Sequence, residues 1–329
     1  MSEDEELYAT IGAQVVPQLL YAMARLGVAD VLAAGPLDLP SLAARVGADP
    51  ASLERALRAL ASVGVFARGR DGRVRLTPAA QPLRADHPRS QRARVLFAGG
   101  EQHRAWGAVM HSLTTGGAAF DHAFGESFAD HLARDAAAMD AAEAFRERRS
   151  ERRDRAIVER LKLGRTRTIC DVGGGTGDLL ALLLERHPRL RGALFEAPHV
   201  AARARARLAR RGLAARCEVL AGDARCELPP GHDAYLLVEV LHCYDDRAAI
   251  EILRRCAGRR VHVIERVLPA RARASAAFLA DMHMLVMYGG RERTREEYRE
   301  LFAAAGLRLV RVTPTSSWLA ILAAAPAGA

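Results

Sequence analysis

A glycine-rich turn between an apolar strand and an apolar helix constrains the fold of this chain more than any other feature. The run 168–172 is mostly apolar, Gly173, Gly175 and Gly177 follow at every second position, and Leu179 opens a helical pattern. Glycine permits a tight turn and a close approach of a ligand to the backbone, and the free N–H groups of the next helix attract that ligand. The run predicts the first strand, turn and helix of an α/β nucleotide-binding sheet.

The spacing of these glycines selects the kind of ligand. A dinucleotide fingerprint that begins at Gly173 and Gly175 requires a third glycine at position 178, where this chain has Asp178. The Gly-x-Gly-x-Gly pattern instead suits a cofactor that carries an amino acid and a nucleoside without a diphosphate. The turn therefore predicts S-adenosylmethionine as the cofactor.

Acidic residues end or follow three successive predicted strands. Asp171 lies at the end of the first, Glu196 ends the second and Asp223 follows the third. The carboxyl ends of parallel strands meet at one edge of a sheet, so Glu196 is predicted to bind the ribose and Asp223 the adenine amino group. Each acid taken alone could equally cap a helix or a turn.

A histidine follows the next predicted strand, 233–241, at the same edge. Neutral imidazole exists near neutral pH, so His242 can take the proton of a hydroxyl as its oxygen attacks a methyl carbon in line with a sulfonium sulfur. Alignment of the three atoms would supply most of the rate, and the base a further ~10²–10⁴-fold. A histidine after a strand is more often structural. A thiol nucleophile at Cys243 is disfavoured because sequence neighbours generally point apart.

The ordered motifs resemble the small-molecule O-methyltransferases of the caffeate and bacterial antibiotic-tailoring type, which use S-adenosylmethionine. The motifs are 171–177, 240–242 followed by Asp245-Asp246, 281–285, and 289–294. The resemblance spans nearly the whole chain and implies a cytoplasmic homodimer of secondary metabolism that uses no metal. It assigns the catalytic base to His242, and it implies that Glu265 and Glu292 hold this base. Glu265 is also expected from the residues alone, as the acid that ends a fifth strand.

The chain departs from the family pattern around the predicted cofactor. The family usually has an aspartate and a tryptophan after the histidine, where this chain has Cys243 and Tyr244. Loss of that aspartate removes one polar substrate contact. Ala224 stands where the family often has an aromatic ring that stacks on adenine. Tyr244 is expected to help hold the adenine instead. The predicted cofactor-binding residues are Asp171, Gly173, Gly175, Gly177, Glu196, Asp223, Ala224, Glu239 and Tyr244.

A helical stretch at about residues 95–164 is expected to cap the active site, because such helices do so in the resembling family. Its aromatic rings, and the thioethers of the 281–285 motif, are candidates for holding a flat aromatic substrate, although for each ring core packing is the more common role. The predicted substrate-binding residues are Trp106, Phe120, Phe124, Cys243, His283, Met284 and Met287.

The N-terminal third has the pattern of a winged helix. A helix at 40–46 stops at Gly47, Asp49 and Pro50 begin the next helix, and the strands 65–68 and 73–76 form a hairpin. In the resembling family this module makes the homodimer.

A DNA-binding regulator is the alternative for the same module. The helix after Pro50 lacks the Asn or Gln side chains that read bases. An apolar stripe ahead of the module could pack against a partner subunit or within its own core. The stripe consists of Leu19, Leu20, Met23 and Leu26.

Composition limits the class of protein. The 329 residues predict two domains, a winged-helix dimerisation domain at 1–95 and a helical cap with a Rossmann-like catalytic domain at 96–329. The acidic start and the lack of an apolar run of ~18 residues predict a cytoplasmic protein that binds no membrane. Five cysteines without a Cys-x-x-Cys pair predict reduced thiols. The net charge of +9, the arginines of 203–211 and the block 147–155 are interpreted as solvated helix faces rather than a nucleic-acid site.

The predicted fold class is α/β, a Rossmann-like class I methyltransferase domain behind a mainly α winged-helix dimerisation domain. The predicted function is methyl transfer from S-adenosylmethionine to a hydroxyl of an aromatic or polyketide-like small molecule. Fold does not fix function. Relatives that keep the cofactor but carry out N- or C-methylation, hydroxylation or decarboxylation therefore stay as an alternative, together with the DNA-binding regulator.

Overall fold

The computed structural model describes residues 2–271 and 275–328, without the side chains of 3, 137, 144, 145 and 147–149. The chain forms two compact units, Met1–Gly107 with Arg134–Arg146, and Ala108–Ala133 with Glu147–Ala329. The two units exchange segments along the chain. The single boundary between 95 and 96 therefore stays a prediction.

The first unit is mainly helical. Asp38 and Asp49 each cap a helix by accepting a 2.8 Å hydrogen bond from the backbone N–H three residues on, and Gly47 ends the first of these helices in a left-handed conformation. Its elements are α1 (Glu3–Gly12), α2 (Val15–Arg25), α3 (Val28–Leu32), α4 (Leu39–Val46), α5 (Pro50–Ser62), β1 (Phe66–Arg68), β2 (Val74–Leu76), a 3₁₀ turn (Gln81–Leu83), α6 (Arg92–Phe97), a π turn (Ala98–Gln102) and α7 (His103–Gly107). The two predicted helices and the antiparallel hairpin are confirmed.

The apolar stripe of α2 lies against the core of its own unit. Met23 is buried, and Leu19, Leu20 and Leu26 pack against the cluster that contains Leu42 and Leu60. Burial of apolar surface within the subunit accounts for this stripe. Contact with a partner subunit is not needed to explain it.

The second unit is built on a seven-stranded sheet with the order β10-β11-β7-β6-β3-β4-β5. Its strands are β3 (Thr168–Val172), β4 (Arg191–Glu196), β5 (Cys217–Ala221), β6 (Ala234–Val238), β7 (Arg260–Glu265), β10 (Leu307–Pro314) and β11 (Ala320–Pro326), and a separate parallel pair is β8 (Val267–Leu268) with β9 (Arg293–Thr294). Its helices are α8 (Val109–Thr115), α9 (Ala119–Phe124), α10 (Phe128–Arg134), the second half of α11 (Ala136–Arg160), α12 (Asp178–Arg186), α13 (Pro198–Arg210), α14 (Asp246–Arg255), α15 (Ala276–Tyr288) and α16 (Arg295–Ala304). The predicted α/β class is confirmed.

The topology of the sheet marks where a ligand binds. Strands β3 to β7 are parallel, and the chain places β4 and β5 on one side of β3 before it returns to place β6 and β7 on the other. In such sheets ligands bind at the carboxyl edge, where the strand order reverses. Glu196 and Glu265 are the last residues of β4 and β7, so both acids stand on this edge.

Two sequence-based expectations need correction here. The predicted strand 233–241 is shorter, because β6 ends at Val238 and Glu239 adopts a left-handed backbone conformation with φ of 53° before a 3₁₀ turn over Leu241–Cys243. The arginine-rich helix is α13, whose apolar face is buried at Ala201, Ala204 and Leu208. Its arginines are not all merely solvated, since Arg207 donates to Asp178 at 2.7 Å.

Among the described helices, none combines the length and the apolar character that crossing a bilayer requires.

Candidate active site

The glycine-rich turn folds back over the carboxylate of Asp171. Gly173, Gly175 and Gly177 have φ values of 68°, 60° and 81°, a region that glycine adopts without strain. A Cβ atom at Gly174 would lie 2.4 Å from Oδ2 of Asp171. The sequence analysis did not single out Gly174, yet no larger residue fits there without movement.

Asp171 is fully buried beneath this turn. Both of its carboxylate oxygens lack a hydrogen-bond partner among the described residues. Burial, and then the nearby Asp154 carboxylate, raise the pKa of Asp171 to about 8, while Arg153 works in the opposite direction. An isolated buried charge is costly. The carboxyl group is therefore mostly protonated at neutral pH.

A buried ion-pair network lies beside Asp171, and the sequence analysis missed it. Arg153 donates from Nε to Oδ1 of Asp154 at 2.8 Å and from Nη1 to Oε2 of Glu239 at 2.7 Å. Nε1 of Trp318 donates to the other oxygen of Glu239 at 3.2 Å. Block 147–155 was predicted to be solvated. That prediction is wrong for Arg153 and Asp154, because this part of α11 packs against the sheet edge and Asp154 is only 1% exposed.

Glu196 stands at the position predicted for a ribose ligand. Its carboxylate accepts hydrogen bonds from the backbone N–H groups of Gly175 at 3.0 Å and Ala197 at 2.8 Å. These contacts fix the carboxylate beside the glycine turn. Each oxygen still has a lone pair for a ligand hydroxyl.

The predicted adenine contacts lie farther along the same edge. Asp223 pairs with Arg225 at 2.7 Å, so this acid is already engaged. Ala224 and Tyr244 both pack against the buried cluster on one face of the sheet and are half-buried. Their apolar surfaces are suited to the wall of an adenine pocket, and their role there stays a prediction.

His242 lies in the 3₁₀ turn after β6 and contacts a buried carboxylate. Nδ1 of His242 is 2.8 Å from Oε2 of Glu265, although the ring does not present its N–H squarely to that oxygen. The contact is therefore first of all electrostatic. Burial acts to lower the pKa of His242, but the Glu265 carboxylate and then the Cys243 thiol outweigh it and raise the pKa well above its usual value.

Glu265 also fixes the backbone of the turn that carries this histidine. Its Oε1 accepts hydrogen bonds from the N–H groups of Val240 at 2.9 Å and Leu241 at 2.8 Å, with a longer contact of 3.4 Å from that of His242. One buried carboxylate thus holds both the imidazole and the chain around it. The prediction that Glu265 supports the base agrees with this geometry.

Glu292 contributes a second carboxylate near Nδ1 of the same imidazole. Its Oε1 is 3.9 Å from Nδ1 of His242 and 3.5 Å from Nε of Arg266. Burial raises the pKa of Glu292 to about 7, although the charge of His242 opposes this. Ligand-capable atoms of His242, Glu265 and Glu292 lie within 4.8 Å of one another, but Glu265 already serves three backbone N–H groups and the imidazole.

Two residues that the sequence analysis gave no role lock this turn in place. Arg293 is fully buried and donates to the carbonyl oxygens of Leu241 at 3.0 Å and Tyr244 at 2.9 Å. A Cβ atom at Gly290 would lie 2.1 Å from the carbonyl oxygen of His242. The Gly-Gly-Arg-Glu-Arg-Thr pattern was the available signal. Only the packed structure shows that Arg293 and Gly290 contact the turn that carries His242.

Cys243 is adjacent to His242 in the 3₁₀ turn Leu241–Cys243. After Glu265, this residue contributes to the raised pKa of His242. The compact 3₁₀ turn places adjacent side chains closer together than an extended strand would. Cys243 is half-buried.

The predicted substrate-binding rings occupy different environments. Phe120 is fully buried and stacks on Phe124 with ring centroids 4.2 Å apart, and Phe128 contacts both Phe120 and Tyr288 of α15. Trp106 belongs to the first unit and is 37% exposed. Within α15, Met287 is buried, whereas His283 and Met284 are half-buried. Their contact with a substrate stays a prediction.

The residues at this edge fit S-adenosylmethionine. Arg153 donates hydrogen bonds to the carboxylates of Asp154 and Glu239, and its charge also acts on the buried carboxyl group of Asp171. The surplus of acids suits a ligand that brings a sulfonium and an ammonium group. The glycines in left-handed conformation leave the backbone accessible to the amino-acid portion of such a ligand. The Glu196 carboxylate, beside this turn, is suited to accept hydrogen bonds from its ribose hydroxyls.

Comparison with known proteins places both segments in described families. Residues 106–308 match the family model of the O-methyltransferase domain, and residues 8–86 match that of the O-methyltransferase dimerisation domain. The first match includes the glycine turn, His242, Glu265 and Glu292.

Individual relatives cover nearly the full chain. Phenazine O-methyltransferase PhzM of Lysobacter antibioticus is 40% identical over 319 residues, which are 94% of this chain and 93% of the relative. Aclacinomycin 10-hydroxylase RdmB of Streptomyces purpurascens is 36% identical over 314 residues, 92% of this chain and 84% of the relative. A similar solved structure is that of NcsB1, an O-methyltransferase from neocarzinostatin biosynthesis in complex with S-adenosylmethionine and 2-hydroxy-5-methyl naphthoic acid. The TM-score is 0.87 at 34% sequence identity, and the match covers 95% of this chain and 96% of the NcsB1 chain.

Proposed function

The chain belongs to the O-methyltransferase family and is an S-adenosylmethionine-dependent methyltransferase, and we propose that it methylates a hydroxyl group of an aromatic secondary metabolite with His242 as the general base. The observation that carries the proposal is the buried pair of His242 and Glu265, 2.8 Å apart at the carboxyl edge of the sheet. The relatives PhzM and NcsB1, named for phenazine methylation and neocarzinostatin biosynthesis, support an aromatic acceptor.

The cofactor-binding residues divide by chemistry. The turn 173–177 faces the amino-acid portion, Glu196 accepts from the ribose hydroxyls, and Asp223, Ala224 and Tyr244 form the adenine end. Arg153, which already bridges Asp154 and Glu239, is the cation proposed to face the cofactor carboxylate as well. When bound, S-adenosylmethionine supplies an electrophilic methyl group on a positively charged sulfur.

His242 and Glu265 act together on the proton of the acceptor. Glu265 takes the Nδ1 side of the imidazole, which leaves Nε2 to receive the hydroxyl proton. The same carboxylate raises the pKa of His242, so the imidazole is a stronger base than a free histidine. As a consequence, the neutral imidazole of His242, which is the form that accepts a proton, is the minor form below this raised pKa. Glu292, which lies 3.5 Å from Nε of Arg266, is a second and more distant carboxylate near Nδ1, at 3.9 Å.

Turnover depends more on alignment than on this proton transfer. A base contributes ~10²–10⁴-fold, whereas near-attack positioning of two reactants contributes more. Phe120 and Phe124, with Met284, Met287 and His283, are proposed to hold the flat acceptor. Cys243 completes the proposed set and offers a thiol where the family has a carboxylate.

The assembly is proposed to be a cytoplasmic homodimer formed through the N-terminal unit. The match of residues 8–86 to the dimerisation domain supports the dimer over the DNA-binding alternative. The comparisons indicate no metal-dependent family, and the mechanism above requires no metal.

Mass spectrometry tests the function directly. Purified protein is incubated with isotopically methyl-labelled S-adenosylmethionine and a panel of hydroxylated phenazines, naphthoic acids and benzoic acids. We expect one labelled methyl group on the oxygen of at least one acceptor. The His242→Ala variant should bind the cofactor while turnover falls by ~10²-fold or more. Unchanged turnover in this variant would reject the assignment of the base.

A second candidate function is hydroxylation. The relative RdmB is named a 10-hydroxylase, and Cys243 here replaces the polar acid that follows the base in the family pattern. The same incubations, repeated in air with an added reductant, separate the two reactions. Hydroxylation would add one oxygen atom from O₂ to the acceptor, with the second reduced to water, and would leave the methyl label in the cofactor. N- or C-methylation would place the label on nitrogen or carbon, which NMR of the product distinguishes.

A further inference from the structure

The cofactor edge contains more buried acid than its buried cations can neutralise. Arg153 bridges Asp154 and Glu239, so its guanidinium already faces two carboxylates. Asp171 lies beside this pair without a hydrogen-bond partner for either oxygen among the described residues. A third ionised carboxylate in this position has no counter-charge of its own.

Among the described residues, the groups that act on Asp171 are acids and thiols, with Arg153 as the one cation. Helix α11 contributes Asp154 and Arg153, and β4 contributes Glu196. The thiols of Cys170 on β3 and Cys217 on β5 also lie near this carboxyl group. Glu239, which follows β6, pairs with Arg153. The glycine turn covers the carboxylate from above. Protein groups alone therefore favour the neutral acid, as its raised pKa of about 8 reflects.

On the basis of the proposed function, we propose that Asp171 holds a proton in the cofactor-free enzyme, releases it when the positively charged cofactor binds, and thereby favours the sulfonium donor over its neutral product. S-adenosylmethionine carries an ammonium and a sulfonium against one carboxylate, whereas S-adenosylhomocysteine has lost the sulfonium charge. An ionised Asp171 supplies the missing anion for this extra charge. Asp171 is a specificity-determining residue that acts through the electrostatic attraction between its negative charge, beneath the glycine turn, and the positive charge of the cofactor.

The inference has a consequence for cofactor affinity. Below the pKa of about 8 that Asp171 has in the free enzyme, binding must remove its proton, so affinity rises as pH rises. The apparent Kd for the donor should fall about tenfold per pH unit at first and level off once Asp171 is ionised without ligand. Donor affinity should exceed product affinity most at the alkaline end.

Isothermal titration calorimetry measures the proton directly. Wild-type enzyme is titrated with S-adenosylmethionine and with S-adenosylhomocysteine at pH 7 in buffers of different ionisation enthalpy. We expect release of close to one proton per bound donor at pH 7, decreasing as pH rises through the pKa of about 8. Asp171→Asn keeps the side-chain shape without the titration and should abolish the release. It should also bring the affinities for donor and product closer together.

A matched variant assigns the proton. Asp154→Asn changes the buried acid of α11 and should retain a release, smaller at pH 7 because the Asp154 carboxylate helps to raise the pKa of Asp171. Donor binding without proton exchange in the wild type would overturn the proposal, and so would release that persists in Asp171→Asn but disappears in Asp154→Asn. If Asp171→Asn does not fold, the pH dependence of proton release in the wild type decides alone. Absence of binding by either compound would instead refute the proposed cofactor and function.

Discussion

Replacement of Glu265 by glutamine tests whether this carboxylate orients His242, the proposed base, and sets its protonation. In the native enzyme Oε1 of Glu265 accepts backbone N–H groups at 2.9 and 2.8 Å, and Oε2 lies 2.8 Å from Nδ1 of His242. In Glu265→Gln the amide oxygen keeps the backbone contacts, so the NH₂ group must face Nδ1. That group only donates. His242 is then driven to carry its proton on Nε2, the nitrogen that has to accept one.

The expected magnitude follows from the role of the base. Loss of a general base costs ~10²–10⁴ in rate, which corresponds to about 3–5 kcal/mol in the barrier. Global stability should change far less in Glu265→Gln, because the backbone hydrogen bonds survive. Glu265→Ala, in contrast, strands those N–H groups in a buried site at ~1–3 kcal/mol each. The pair of variants separates catalysis from folding.

Single-turnover transfer from labelled S-adenosylmethionine is the assay, with cofactor affinity by calorimetry and unfolding by denaturant as companions. Glu292→Gln is the matched control, since its carboxylate is 3.9 Å from Nδ1 and beyond hydrogen-bond reach. We expect a much smaller loss of rate there. A Glu265→Gln enzyme that turns over at the native rate, with the native pH profile, would refute the reasoning.

Other consequences of this geometry are measurable too. Gly290→Ala places a Cβ 2.1 Å from the His242 carbonyl oxygen, so turnover should fall at least ~10-fold while cofactor affinity is retained. Gly107→Ala is the control, because the space around its Cβ is open. This variant should behave as the native enzyme in kinetics and calorimetry. Arg293→Met removes a buried guanidinium and leaves two carbonyls of the turn unpaired, and denaturant unfolding should show a loss of ~3–5 kcal/mol; native stability would contradict its structural role. Glu265 raises the pKa of His242, so kcat/KM should rise about tenfold per pH unit up to that raised pKa and then level off. A flat profile of kcat/KM from about pH 6 to about pH 9 would argue against a titrating base.

The sequence by itself determined the class of fold and much of the cofactor edge. Glycine spacing and strand periodicity are local, so the turn 173–177, the acids Glu196 and Asp223 and the position of His242 could be read from short stretches. Helix caps at Asp38 and Asp49 are local as well. These elements lie where the residue pattern predicted them, except that β6 ends at Val238 and His242 lies in the 3₁₀ turn that follows it.

Only the tertiary structure decided which charges face the site from distant segments. Arg153, predicted to be solvated, pairs with Glu239 because α11 packs on the sheet edge, and Trp318 reaches the same carboxylate from the far end of the chain. Arg293 and Gly290 gain their roles only where α15 and its following loop meet the His242 turn. Burial and counter-charge depend on residues far apart in sequence, and a local pattern does not contain them.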